Sequence, residues 1–318
     1  MNGTTVVLLL VGVAAMLAAT LVLFTAAVAR RVERAVPPAG QFVEINGARI
    51  HYIDRGQGPV TLLMVHGLGG NAHNFLHSLV AQLDTSFRVI VMERPGSGYS
   101  TRAPGAAAGP IAQADTIAAF IRALQLDRPV LVGHSLGGAI SLATAVAHPN
   151  LVRALALVAP LTRMQDAPPD VFKALFIQSP LLRTIIGWTL ATPLGMATRA
   201  GMLNVIFGPD PVPADFALAG GGALGMRPSA FISASTDAVA VTEDMPQLLT
   251  QYGALTMPVS IVYGTHDRIL DPTHHGESLK AFLPQLHVEL IDGAGHMLPL
   301  TAPNRVAGFV RQVATTAR

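Results

Sequence analysis

The run Val130-Leu131-Val132-Gly133-His134-Ser135-Leu136-Gly137-Gly138-Ala139 limits the fold more tightly than any other part of the chain. Its opening residues are apolar and largely β-branched, as in a strand buried on both faces. After Gly138 the sequence Ala-Ile-Ser-Leu-Ala-Thr-Ala-Val-Ala favours a helix. A strand that becomes a helix within about two residues forces the turn residue, Ser135, into a strained backbone conformation. Gly133 and Gly137 lack a Cβ, so strand and helix can close on each other there. The Ser135 hydroxyl then stands clear of the sheet, and the first N–H groups of the helix face whatever it attacks. An ordinary exposed serine on a Gly-rich turn is the bland alternative, and it leaves the flanking strand and helix unexplained.

A chain of 318 residues suits one large domain or two small ones. The formal net charge is +2, and no basic run exists beyond the neighbourhood of Arg30, so nucleic acid is not an expected partner. With no cysteine, disulfides, thiol catalysis and Cys-ligated metals are excluded. Thr4 to Ala29 carries no charge and is long enough to cross a bilayer as a helix. Ala27-Val28-Ala29 resembles a signal-peptide cleavage site, but the start is not basic and the apolar stretch is long for a leader. An uncleaved single-pass anchor fits better. Arg30, Arg31 and Arg34 follow it, which places the rest of the chain on the cytoplasmic side by the positive-inside rule. Residues 1–36 are therefore expected to be anchor and linker, with Pro37-Pro38-Ala39-Gly40 opening the next domain.

From there, strands and helices alternate. Phe42–Ile45 and Arg49–Ile53 are predicted to form a hairpin about Asn46-Gly47. Val60–Val65, Arg88–Met92, Val130–Val132 and Ala154–Val158 read as buried strands, and Ala72–Leu83 and Ile111–Leu126 as helices. The pattern stops near Pro160 and resumes with strands at Val259–Tyr263 and Val288–Ile291 and helices at Pro272–Phe282 and Ala302–Val313. Such alternation implies a mostly parallel sheet with helices on both faces. The expected core is 37–160 with 253–318. The interval 161–252, helical at Val171–Gln178 and Leu181–Leu190 and rich in Phe and Met, is expected to be a cap over the strand ends, where open α/β sheets bind ligands.

A serine hydroxyl needs a base, and the base needs an orienting carboxylate. Asp267 follows the strand ending at Tyr263, and His296 follows the last strand on the loop Asp292-Gly293-Ala294-Gly295. Both lie at the sheet edge where Ser135 projects. Asp292 is a rival orienter because it is close to His296 in sequence, and Asp271 is a weaker one, better suited to capping before Pro272. His66 and His134 are expected to be hydrogen-bonded structural histidines. His266, His274 and His275 could suggest a metal, but neighbouring histidines on a helix point to different faces, and a solvated surface is expected instead. Tyr99, Asn71 and Asn74 lie near the site without an assignable role.

Four segments together resemble the α/β-hydrolase fold superfamily: His66-Gly67-Leu68-Gly69-Gly70, Gly133-His134-Ser135-Leu136-Gly137-Gly138, Gly264-Thr265-His266-Asp267 and Gly293-Ala294-Gly295-His296. The resemblance runs from about Phe42 to the last helix. It implies Ser135 as nucleophile, His296 as base, Asp267 as orienting acid, and the backbone N–H groups of Leu68 and Leu136 as an oxyanion hole, with no cofactor and no metal. One departure is Glu93, where the family usually has Asp at the head of a structural loop. Members that open alkyl carbons carry Asp at the elbow, so Ser135 implies acyl transfer. The expected activity is that of a membrane-anchored esterase or lipase acting on a hydrophobic ester or lipid. C–C bond hydrolases, perhydrolases and acyltransferases are the enzyme alternatives, and a ligand-binding protein on a hydrolase fold is the non-enzyme one. Oligomeric state is open.

Overall fold

The computed structural model describes residues 2–317. The chain opens with α1 (Gly3–Ala35), capped by Asn2, whose side chain accepts from Thr5 N–H. It is long and apolar enough to cross a membrane. From Gly3 to Thr20 every residue is exposed.

The hairpin β1 (Gln41–Ile45) and β2 (Ala48–Arg55) follows, with Asn46 and Gly47 both at positive φ, as a two-residue turn matched to strand twist requires. Then come β3 (Thr61–Val65), α2 (His73–Leu76), α3 (Val80–Leu83), β4 (Arg88–Met92), α4 (Pro110–Ala123), β5 (Val130–His134), α5 (Leu136–Ala147) and β6 (Ala154–Val158). Beyond β6 the chain leaves the sheet for about a hundred residues as a helical excursion. It contains a 3₁₀ segment (Asp170–Leu175), α6 (Pro180–Trp188), α7 (Ala191–Phe207), a second 3₁₀ segment (Gly222–Met226) and α8 (Pro228–Gln251). The sheet resumes with β7 (Val259–Gly264), α9 (Pro272–His275), β8 (His287–Ile291), α10 (Leu298–Thr301) and α11 (Pro303–Thr316).

The eight strands lie in the order β1-β2-β4-β3-β5-β6-β7-β8, parallel from β4 to β8, with the hairpin antiparallel at one edge. Alternation along the central strands feeds two cores. Leu63, Val65 and Leu131 pack against Ile117, Phe120 and Ile140 of α4 and α5. Leu62, Met64, Val130 and Val132 pack with Phe75, Leu79, Val306 and Val310 of α2, α11 and the segment between α2 and α3. Both faces are therefore apolar, which is why these strands read as unbroken hydrophobic runs.

Three predicted helices differ from expectation, and the one over Val171–Gln178 is instead the 3₁₀ segment Asp170–Leu175. The stretch Ala72–Leu83 is divided between α2 and α3 by a turn at 77–79. The helix from Pro272 stops at His275 because Gly276 follows; a Cβ there would meet the Pro272 carbonyl at 2.6 Å and the Tyr263 ring at 3.0 Å. The chain continues as a 3₁₀ turn over Glu277–Ala281.

Candidate active site

The elbow between β5 and α5 places Ser135 at φ 54° and ψ −121°, a conformation that costs a non-glycine residue roughly 1–3 kcal/mol. Three backbone bonds hold it: Ser135 N–H donates to Val158 O (3.1 Å), and Ser135 O accepts from Gly138 (2.9 Å) and Leu161 (3.0 Å). The flanking glycines are sterically required. A Cβ on Gly133 would lie 2.6 Å from Gly137 O and from Ser141 Oγ, and one on Gly137 would collide with Val65 O. Leu136 opens α5, where a backbone N–H has no intrahelical acceptor.

Across from the elbow, the loop after β3 is held from beneath by Arg94. The guanidinium is buried; Nε donates to His66 O (2.9 Å) and Nη2 to Gly67 O (2.9 Å). Gly67 O also accepts from His66 Nδ1 (2.9 Å), while His66 Nε2 accepts from Arg94 N–H (3.1 Å), so the neutral tautomer of His66 is fixed. Burial, with the charge of Arg94 beside it, keeps the imidazole well below its ordinary pKa. In a trans peptide the carbonyl and the next N–H point in opposite directions, so gripping Gly67 O turns Leu68 N–H to the other side of the plane. The approach is close enough that a Cβ on Gly67 would lie 2.8 Å from Ser135 Cβ.

His296 and Asp267 meet at the same edge: Nδ1 and Oδ2 are 2.7 Å apart, and both side chains are buried. The other oxygen of Asp267 accepts from Ile269 N–H (2.8 Å) and Leu270 N–H (3.0 Å). Burial alone would raise this carboxyl, but the charge and hydrogen bond of His296, with those two donors, outweigh it and hold Asp267 below the usual carboxylate range. No hydrogen bond joins Ser135 Oγ to the imidazole among the described residues. Serine–histidine contacts are commonly long in unliganded enzymes. The His296 loop is latched from the excursion, where Asp210 Oδ2 accepts from Gly295 N–H (2.8 Å). His134 packs against His296 with ring centroids 4.9 Å apart and the rings tilted by 44°, and its Nε2 donates to His296 O (3.1 Å).

The rival residues lie elsewhere. Asp292 is exposed and accepts from the Thr265 hydroxyl (3.2 Å), and Asp271 caps α9 through His274 N–H (2.7 Å). One expectation needs correction. His274 is exposed, but His275 is fully buried, with Nδ1 facing Thr162 N–H at 3.5 Å, because the end of this short helix turns inward onto the chain after β6. Among the described residues, no group of three or more His, Cys, Asp or Glu side chains could hold a metal.

Ser135, Leu68 and Leu136 line a cavity of about 80 Å³ whose remaining wall is almost wholly apolar and includes Leu161, Met164, Phe172, Phe176 and Val241. Of the aromatic residues in the excursion, Phe172 and Phe176 thus reach the cavity. Phe207 and Phe216 instead form a small core with Met297 and Leu300. Glu93 is buried and structural, accepting from Ala72 N–H (3.2 Å) and Tyr99 N–H (2.5 Å) and pairing with His51 (2.8 Å). Asn71 and Asn74 donate to the Gly221 and Gly220 carbonyls (both 3.1 Å), tying the loop after β3 to the excursion. Sequence reading missed Asp210, Arg94 and Asp237 of α8. The Asp237 carboxylate, fully buried, pairs with Arg94 (2.6 Å) and with Arg102.

A mostly parallel eight-stranded sheet with a serine at the strand–helix elbow and a histidine–aspartate pair beyond later strands defines the class of α/β hydrolases. The sequence profile of the alpha/beta hydrolase fold matches residues 60–303, and the chain belongs to that family. It is 28% identical, over 90% of its length and 84% of the relative's, to an uncharacterised protein of Mycobacterium tuberculosis. It is 33% identical over 41% of its length to 49% of a 2-hydroxymuconate semialdehyde hydrolase of a Pseudomonas species. Its fold superposes on the crystal structure of a bacterial membrane phospholipase A with a TM-score of 0.67, at 24% identity, covering 98% of this chain and 97% of the other.

Proposed function

We propose that this hydrolase is a serine esterase held to a membrane by α1 and acting on hydrophobic carboxylic esters, with residues 161–252 as its cap. The observation that carries the reading is the His296–Asp267 pair, joined at 2.7 Å at the strand ends where the strained Ser135 opens onto an apolar cavity. Ser135 Oγ attacks the ester carbonyl as its proton passes to His296 Nε2. Asp267 accepts from Nδ1–H and stabilises the imidazolium. The N–H groups of Leu68 and Leu136 receive the oxyanion, each worth roughly 3–4 kcal/mol in the transition state. Collapse expels the alcohol, protonated by His296, and leaves an acyl-enzyme. Water, deprotonated by the same imidazole, releases the acid and regenerates Ser135. The apolar lining, with Gln165 as its one polar residue besides Ser135, supports an acyl group without charge. The likeness to a membrane phospholipase A and the apolar α1 support the lipid reading.

A fluorophosphonate probe should label the natural protein and not Ser135→Ala, and that variant should lose at least about 10⁴-fold in kcat. Absence of labelling in well-folded protein would count for a binding protein on this fold. Because part of the chain is similar to a 2-hydroxymuconate semialdehyde hydrolase, the substrate panel should include a C–C substrate; if it outruns every ester, the esterase reading fails.

A further inference from the structure

Exposed large apolar side chains are not spread evenly over this protein. Among the described residues outside α1, seven of the ten lie between Leu181 and Met196, on α6 and the first turns of α7. Helix α6 has two faces. Arg183 and Gly187 turn inward, Arg183 donating to the Ser235 and Thr236 hydroxyls of α8 (3.0 and 2.9 Å), and a Cβ on Gly187 would lie 2.8 Å from Ile232 Cγ1. Leu181, Leu182, Ile185 and Trp188 face outward and are 40–71% exposed, and Leu194 and Met196 extend the patch onto α7. No acidic residue occurs between Asp170 and Asp210, whereas Lys173, Arg183 and Arg199 do. A patch of this kind marks an interaction surface.

What covers it is indicated by α1. Helix α1 touches α6, α7 and the Gly222–Met226 turn. The contact begins only at Leu21: Leu21, Val22 and Ala26 are half-buried, Thr25 is fully buried, and Val32 and Val36 pack on Leu224. The free part, Gly3–Thr20, is about 27 Å long at 1.5 Å per residue, which nearly fills a hydrocarbon core of about 30 Å. The helices that meet α1 just beyond Thr20 are therefore level with the bilayer surface. Arg30, Arg31 and Arg34, all exposed, follow about 15–21 Å beyond Thr20, just outside the headgroups, where an anionic surface attracts juxtamembrane basic residues.

We infer that the outward face of α6 and the start of α7 lies in the surface of an anionic phospholipid bilayer, beside the anchor. This rests on the reading of α1 as a membrane span. Helix α6 itself adjoins the cavity through its inward face, since Arg183 Nη2 donates to Ile177 O (2.6 Å), next to Phe176 of the cavity wall. An ester dissolved in the bilayer would then reach Ser135 through the part of the cap already seated in lipid.

Trp188, the only tryptophan, lies within the patch and reports on it without substitution. The full chain is reconstituted into vesicles of phosphatidylglycerol and phosphatidylcholine with bromine on the acyl chains. The expected result is strong quenching by brominated lipid and protection from aqueous iodide. A chain that is retained by vesicles through alkaline extraction, yet has Trp188 quenched by iodide and not by bromolipid, overturns the inference and leaves the anchor intact. A chain extracted at alkaline pH overturns both. Protection from both quenchers, with cross-linking between copies, assigns the face to a second copy and overturns the lipid assignment. As a second readout, Leu182→Glu combined with Ile185→Glu should lower hydrolysis of a vesicle-embedded ester at least about tenfold while leaving a water-soluble ester unchanged. Equal loss on both substrates counts against lipid contact.

Discussion

Three histidines near Ser135 are held neutral by burial, and each constrains the protein differently. His134 and His275 are lowered to about 3 by burial, the neighbouring His296 and His274 adding to the effect, and His66 is lowered well below its ordinary value by burial and Arg94. Unfolded, each takes a proton near pH 6.5. Above that pH they add no pH dependence to stability; below it the unfolded chain binds protons that the folded chain refuses. Stability should therefore fall from about pH 6.5 towards pH 3, by up to about 1.4 kcal/mol per pH unit for each imidazole. Asp267, depressed in the fold, acts in the same direction only below its unfolded value of 3.8, where acid removes the stability its ionised form supplies. A Tm that stays level from pH 7 to pH 4 contradicts neutral burial. On the proposed mechanism Asp267→Asn should lower kcat about 10⁴-fold with KM little changed, since it spoils the imidazole's tautomer rather than the pocket. Gly67→Ala pushes a methyl against Ser135 Cβ, and a misplacement of this size should cost about 10²-fold in kcat/KM, read with a water-soluble ester.

Among the elements, α8 does more than roof the cavity. Through Asp237 it holds Arg94, and Arg94 holds the His66 and Gly67 carbonyls, the second of which sets the direction of Leu68 N–H. Asp237→Ala leaves two guanidinium groups without their buried counter-charge, a loss of about 3–5 kcal/mol in stability that denaturant titration can measure. Where the folded fraction is matched, kcat should fall further than KM rises. This arrangement also shows what a sequence read alone can and cannot deliver. The strands, the elbow and the places of Ser135, Asp267 and His296 were legible because each rests on local chemistry: β-branched runs, glycines at a tight turn, a loop after an apolar strand. Asp237 and Arg94 stand 143 positions apart, and no local pattern marks one for the other. His275 was misplaced for a related reason. The principle that adjacent helical histidines diverge was sound, but which of the two turns inward depends on Thr162, brought there by the chain after β6. The break after Leu76 escaped because no Gly or Pro marks it, whereas the one after His275 carried a local signal in Gly276.

For the molecule as a whole, α1, the proposed membrane span, is also a packing element. Its last turns bury Val32 and Val36 on Leu224, Glu33 lies 3.5 Å from Arg227, and Tyr99 donates to Val36 O. A chain beginning at residue 37 should lose vesicle binding and melt several degrees lower, because Leu224 becomes exposed; an unchanged Tm would mean that these contacts contribute nothing. The absence of cysteine makes topology directly measurable with single cysteines placed on the surface. If the chain has the orientation its arginines imply, a cysteine at Asp127 should react with an impermeant maleimide only after the cells are opened.

The bond from Asp210 to Gly295 joins the excursion after β6 to the very loop that carries His296. An enzyme whose entrance opened independently of its chemistry would show gating in substrate capture alone. On the proposed mechanism, an outward swing of the segment at Asp210 would draw on the loop of His296, so admitting a molecule and disarming the proton acceptor would be one movement.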